Sequence, residues 1–230
     1  MIRRPPLIIN FKNYIEAASA DRTVGLATAA QQVARQLDVE IVLAPPQPSL
    51  ALVCKSVGIP VVCQHVDDAD AGATTGFFAP EIAKLYGVAG SLVNHSEHRI
   101  ITEKGEGMQA IQSIVERMRR VQMTSIVCAR TPDEVSAIAQ FRPDFIAIEP
   151  PELIGSGRAV SKENPKIITD SIEAAGGRSK VICGAGITDA SDVSKAMELG
   201  SQGILAASGI VKARSWAEKI AELARSMKHR

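Results

Sequence analysis

Three stretches of this 230-residue chain carry side chains suited to moving a proton. Glu149 closes the apolar run Phe145-Ile146-Ala147-Ile148. A carboxylate partly desolvated at such a point gains proton affinity, which suits it to general-base work. A salt-bridged or helix-capping glutamate is the other use of that position. Asn94-His95-Ser96-Glu97-His98-Arg99 directly follows Ser91-Leu92-Val93. Six consecutive polar residues with two imidazoles offer a hydrogen-bond donor or acid, or else form a capping loop of solvated charges. Asn10-Phe11-Lys12-Asn13 follows Leu7-Ile8-Ile9. Its lysine is either a charge held at a site or a solvated side chain, and its asparagines are either amide donors or turn formers.

Two further stretches are built for backbone contact. Cys183-Gly184-Ala185-Gly186-Ile187-Thr188 and Ala206-Ala207-Ser208-Gly209 are rich in small residues, which let N–H groups approach an anionic oxygen. Glycine serves any left-handed turn equally well, so each stretch gains meaning only from its place in the fold. Between these groups, Pro150-Pro151 and Gly155-Ser156-Gly157 bracket Leu153 and Ile154. Such a segment is stiff at its entry, permissive at its exit and apolar where it would cover a ligand.

The elements that must hold these residues are legible as short Val- and Ile-rich runs: Leu7 to Phe11, Val39 to Ala44, Pro60 to Gln64, Gly90 to Asn94, Thr124 to Cys128, Phe145 to Glu149, Lys180 to Cys183 and Gln202 to Ala206. Amphipathic helical patterns lie between them, among them Ala17 to Gln36, Met108 to Val121 and a final Arg214 to Met227. The strands lack clean polar alternation, which places them in a parallel sheet covered by helices. Eight strands in 230 residues leave about 29 residues per unit, close to the minimum for a strand, a crossover helix and their loops. An α/β class with a closed (β/α)8 barrel uses that length completely, so the chain is expected to be one domain over residues 1–230. In such a barrel the chemistry sits at the C-terminal strand ends, and the loops after the seventh and eighth strands commonly hold phosphate. All five polar or glycine-rich stretches fall at such ends.

Composition removes several alternatives. Lys+Arg 26 against Asp+Glu 25 argues against nucleic acid or an anionic membrane surface as partner. Only 1 Trp, 2 Tyr and 5 Phe are available, too few for a base-stacking platform. The apolar run behind Met1 to Pro6 is too short for a secretory core or a membrane span, so a cytoplasmic location is expected. Cys54, Cys63, Cys128 and Cys183 show no zinc-like or C-x-x-C spacing and are expected to be reduced, mostly buried thiols.

Together, Asn10 and Lys12, Asn94-His95-Ser96-Glu97, Glu149-Pro150, Ile154-Gly155-Ser156-Gly157 and the two glycine-rich loops resemble the triosephosphate isomerase family over essentially the whole chain. The short length, the Pro151-Glu152-Leu153-Ile154-Gly155 lid and the Cys183-Gly184-Ala185-Gly186 loop are similar to its compact archaeal branch. The lid lacks the Val-Trp-Ala of bacterial and eukaryotic members. Their Tyr-Gly-Gly-Ser is replaced by Cys183 to Gly186, and their phosphate-facing Gly-Gly by Ala207-Ser208.

The resemblance implies a TIM barrel that interconverts dihydroxyacetone phosphate and glyceraldehyde 3-phosphate without metal or cofactor. It assigns Glu149 as base, His95 as neutral electrophile, Lys12 as positive charge, Glu97 as the residue orienting Lys12 and Asn10 as an amide donor. Ile154, Gly155, Gly186, Ala207 and Ser208 are assigned to the phosphate. It also implies a homo-oligomer, dimer or tetramer, with Asp70 to Thr75 reaching a neighbouring subunit. His98 receives no role beyond that of a solvated or interface residue. Other phosphate-binding barrels place different acids and lysines at their strand ends, and a catalytically inactive scaffold would be expected to lose at least one of these residues.

Overall fold

A computed structural model describes residues 2, 4–150 and 159–227. Eight strands, β1 (Leu7–Asn10), β2 (Ile41–Ala44), β3 (Val62–Cys63), β4 (Gly90–Val93), β5 (Thr124–Ala129), β6 (Phe145–Ile148), β7 (Lys180–Gly184) and β8 (Ile204–Ala206), form one parallel sheet in the order β2-β1-β8-β7-β6-β5-β4-β3. The bridge Leu43↔Val61, with Leu43 N–H donating to the Pro60 carbonyl, brings β2 beside β3 and closes the ring. Each predicted strand is present, with no end shifted by more than two residues. The third is the shortest, because Pro60 has no N–H and can contribute only its carbonyl to the ladder.

Helices cover the outside. α1 (Ile15–Ala18) and α2 (Ala20–Leu37) follow β1, α3 (Leu50–Ser56) follows β2, α4 (Pro80–Leu85) follows β3, α5 (Met108–Arg120) follows β4, and α6 (Pro132–Ala139) follows β5. After β6 come α7 (Val160–Glu163) and α8 (Pro165–Ala175), after β7 α9 (Ala190–Glu198), and after β8 α10 (Ser208–Val211) and α11 (Trp216–Ser226). The single helix expected over Ala17 to Gln36 is two, broken at Ser19. That residue is extended and caps α2 by accepting from Arg22 N–H at 3.4 Å, so its side chain competes with helix continuation. α2 then buries Leu26, Ala27, Ala30 and Val33, and α11 packs on it to complete the outer ring.

The core splits into two shells, and the split fixes where the functional side chains point. Ile8, Val42, Ala44, Val62, Leu92, Ile126, Cys128, Phe145, Ala147, Ile182 and Leu205 fill the barrel interior. Their strand neighbours Leu7, Ile9, Val93, Val127, Ile146, Ile148, Val181 and Ile204 pack outward against the helices. Side chains alternate along a strand. Phe145 and Ala147 therefore carry Glu149 to the inside at the mouth, Ile8 carries Asn10, and Ile182 carries Gly184.

Candidate active site

The predicted residues converge on one cleft at the C-terminal mouth of the barrel. Its lining comprises Asn10, Lys12, His95, Glu149, Ala185, Gly186, Ile187, Thr188, Leu205, Ala206, Ala207 and Ser208. Glu97 lies beside this cleft, on an adjoining hollow that Lys12 and His95 also line. Ile154 and Gly155 fall outside the described residues.

Glu149 is 4% exposed. Its backbone N–H donates to the Ala129 carbonyl at 2.8 Å, pinning the start of the segment to β5. Its Oε1 stands 3.6 Å from His95 Nε2, while Oε2 is buried with no hydrogen-bond partner among the described residues. A buried carboxylate oxygen with no protein partner is available to a proton carried by a bound molecule. The Cys128 thiol also faces the barrel interior. Burial first, and the neighbouring carboxylate second, push that thiol well above its usual range. Cys63 and Cys183 are raised by burial in the same way, and Cys54 is half-buried. All four cysteines are free, and none has the exposed, electropositive setting of a reactive thiolate.

His95 is held by its own loop. The Glu97 N–H donates to His95 Nδ1 at 3.2 Å, so Nδ1 is the acceptor and the proton resides on Nε2, the nitrogen that faces Glu149. Lys12 adopts a left-handed backbone, φ 48°, a conformation costly for a residue with a Cβ. Three contacts hold it there: Asn10 Oδ1 accepts from Lys12 N–H at 2.9 Å, Gln64 Nε2 donates to the Lys12 carbonyl at 3.0 Å, and Glu97 Oε1 takes the ammonium at 2.6 Å. The side chain of Lys12 is only 11% exposed. A charge so placed is held at the cleft by Glu97 rather than freely solvated. Gln64 also donates to the Ala44 carbonyl, tying β2 and β3 to the lysine loop. Its role had no signal in the sequence, since a glutamine at a strand end is ordinary.

The opposite wall is backbone. Ala185 and Gly186 are successive left-handed residues, φ 77° and 70°, which turns the chain sharply after β7. Gly209 is required where this loop meets the loop after β8, because a Cβ there would lie 2.8 Å from the Ile187 carbonyl oxygen. Asp192 anchors the wall: its Oδ2 accepts from Thr188 N–H, Thr188 Oγ1 and Asp189 N–H at 2.8, 2.9 and 3.1 Å, and its Oδ1 meets Lys162 Nζ at 2.6 Å. The cleft thus has side-chain acid–base groups on the β1, β4 and β6 side and small residues on the β7 and β8 side, a division suited to a small anionic substrate.

His98 is exposed, and its ring stacks on His65 with centroids 3.8 Å apart and planes 9° from parallel. His65 Nε2 is 3.2 Å from Asp67 Oδ1. Burial and the neighbouring imidazole lower the proton affinity of His65 against the opposing pull of Asp67. No group of three or more potential metal ligands occurs among the described residues.

The family model described as triosephosphate isomerase matches residues 5–224. The chain is 49% identical over 229 residues to the triosephosphate isomerase of Cenarchaeum symbiosum, covering 99% of this chain and 100% of that one. It is 42% identical over 226 residues to that of Caldivirga maquilingensis, 97% of each chain, and 40% identical over 227 residues to that of Methanothermus fervidus, 97% of this chain and 99% of that one. With eight parallel strands closed into a barrel and this match along its length, the chain belongs to the triosephosphate isomerase family.

Proposed function

We propose that this protein interconverts dihydroxyacetone phosphate and D-glyceraldehyde 3-phosphate, with Glu149 and His95 as the reacting pair. The observation that carries the reading is the buried Glu149 carboxylate 3.6 Å from the protonated nitrogen of His95, across a cleft whose far wall is backbone. Glu149 takes a proton from one substrate carbon, leaving an enediolate, and returns it to the adjacent carbon. Charge that grows on oxygen in this step must meet donors already in place. His95 Nε2–H and the Lys12 ammonium supply them, and the Asn10 amide adds a contact to substrate. Glu97 orients Lys12 through their 2.6 Å ion pair; its alternative part as a proton-shuffling acid is less favoured, since it already holds the lysine charge. Gly186, Ala207 and Ser208 line the cleft at the glycine-rich loops, where N–H groups can receive the phosphate. Ile154 and Gly155 are assigned to the lid over it, excluding water so that the enediolate does not expel phosphate.

The same reading makes the protein a cytoplasmic homo-oligomer. No helix among the described residues is long and apolar enough to cross a membrane. The hollow beside Lys12, lined by Gln47, Gln64, Phe78, Glu97 and His98, opens next to the exposed Ile15 and Phe77. A neighbouring subunit's 70–75 segment is the occupant we assign to it.

An assay coupling glyceraldehyde 3-phosphate conversion to a nicotinamide-linked dehydrogenase tests the activity. Glu149→Ala is expected to fold and to lose about 10²–10⁴-fold in kcat, the usual worth of a positioned base. Near-normal turnover would remove Glu149 from the mechanism. Phosphoglycolate should compete with substrate, and calorimetry showing no binding at millimolar concentration would count against the phosphate wall.

A further inference from the structure

Strand alternation delivers Asn10, Glu149 and Gly184 to the barrel mouth, but it does not deliver His95. On β4, Leu92 lies inside and Val93 packs outward, so continued alternation would place Asn94 inside and His95 against the helices. His95 nevertheless lines the cleft. Between the strand and the histidine stands Asn94, fully buried and in the left-handed region at φ 62°. A single residue there reverses the chain direction and resets which side the next side chain takes. Asparagine tolerates this conformation better than most residues with a Cβ.

The Asn94 side chain is also bonded at both ends. Nδ2 donates to the Cys128 carbonyl on β5 at 2.9 Å. Oδ1 accepts from the N–H groups of Ile100 and Ile101, both at 2.9 Å, folding the loop from 95 to 101 back onto its start. His98 N–H donates to the His95 carbonyl at 2.8 Å within that loop. β5 is the strand whose next residue, Ala129, accepts from the backbone N–H of Glu149. One amide therefore links the strand end that bears the histidine to the strand that anchors the base.

We propose that Asn94 is a positioning residue for the isomerase reaction: its left-handed backbone and three side-chain hydrogen bonds set the placement of His95 relative to Glu149. The proposal rests on the role of His95 given above. Asn94 touches no reacting atom, so its contribution should pass through the imidazole alone and leave the phosphate wall on β7 and β8 unaltered.

Asn94→Gly tests this, because glycine accepts the backbone conformation without strain while removing all three bonds. In the otherwise native enzyme kcat should fall about 10- to 100-fold, the effect of displacing a reacting group by a fraction of an ångström to one ångström, while phosphoglycolate affinity stays within about threefold. In a His95→Gln background the same change should alter kcat by less than about twofold, since no imidazole is left to misplace. Equal losses in both backgrounds would overturn the proposal, as a merely structural role predicts; so would a native kcat in Asn94→Gly alone. If Asn94→Gly does not fold, Asn94→Asp decides by the same cycle. It keeps the one oxygen that accepts from Ile100 and Ile101 but sets its other carboxylate oxygen against the Cys128 carbonyl. A His95→Gln enzyme with native turnover would instead sink the assignment of His95, whichever way Asn94 behaves.

Discussion

Gly184→Ala should disable the enzyme while leaving it folded, because the space a methyl group would need is occupied by Glu149, the proposed base. Gly184 lies at the inward-facing end of β7, and a Cβ built on it would stand 2.9 Å from Glu149 Cγ and 3.1 Å from Oε1. Ordinary carbon–carbon contact is about 3.5–4.0 Å, so the intrusion is about 0.6–1.1 Å. Something must yield. The backbone of Gly184 is held in register with Leu205 of β8, and the backbone of Glu149 is held by its bond to Ala129. The Glu149 side chain has freely rotating bonds, so it moves. Turning it off its preferred rotamer costs about 1 kcal/mol of stability, a modest loss for a domain of this size. Its effect on catalysis is larger. A displacement near 1 Å in a reacting group costs about 10²-fold, or roughly 2.7 kcal/mol of transition-state stabilisation. The coupled assay should show kcat reduced by about two orders of magnitude with KM little changed, since Gly186, Ala207 and Ser208 are untouched. A urea melt should show the small loss in stability. A kcat within about threefold of the native value would refute the reasoning. A collapsed melting curve with normal turnover in the surviving fraction would show that the strand yields instead of the base.

Three further outcomes test other parts of the structure. Asp192→Ala removes a buried carboxylate that accepts three hydrogen bonds from Thr188 and Asp189 and pairs with Lys162; urea unfolding should show a loss of about 2–4 kcal/mol, and phosphoglycolate should bind more weakly as the β7 loop loosens. A loss under 1 kcal/mol would mean that water replaces those bonds. His65 has its proton affinity lowered from the ordinary 6.5, so the unfolded chain binds the extra proton first: its contribution to stability is present above about pH 6.5 and is lost as pH falls below that point. His65→Gln should flatten this part of the stability–pH curve, and an unchanged slope would discard the assignment. Thr131→Ala deletes the cap in which Thr131 Oγ1 accepts from Glu134 N–H, and should cost about 1 kcal/mol in thermal melts with turnover unaffected.

The barrel was legible because its signals are redundant. Eight apolar runs of similar length, spaced by amphipathic helices, admit few arrangements within 230 residues. What escaped was local hydrogen bonding. Ser19 breaks the first long helix because its hydroxyl caps the next one, and hydrophobic spacing alone runs straight through it. Pro60 shortens β3 although its neighbours are ideal strand formers. In the cleft, Glu149, His95 and Lys12, the proposed reacting groups, drew notice in the sequence because acid–base residue types stand out at the ends of apolar runs. Gln64 and Gly184, which hold or make room for them, are commonplace residues whose partners lie far away in sequence.

Asn94 shows where such a supporting residue does leave a trace. Counting inward and outward positions along a strand is possible from sequence once one apolar residue is known to face the interior. On β1 and β6 the count from the core arrives at Asn10 and Glu149 on the inner side, so each cleft residue follows from strand periodicity with no special device. On β4 the count fails: from Leu92 it reaches Asn94, and the histidine is one residue out of step. A functional side chain on the wrong parity requires a break in the extended backbone, and a left-handed residue immediately before it is the shortest break available. Such a break leaves polar backbone groups that need partners, and a buried asparagine meets two in the loop and one on β5 with one side chain. The out-of-step histidine thus predicts the asparagine before it. The same parity count, applied to other barrel strands, should separate residues delivered by the sheet from those that depend on a neighbour to reach the mouth.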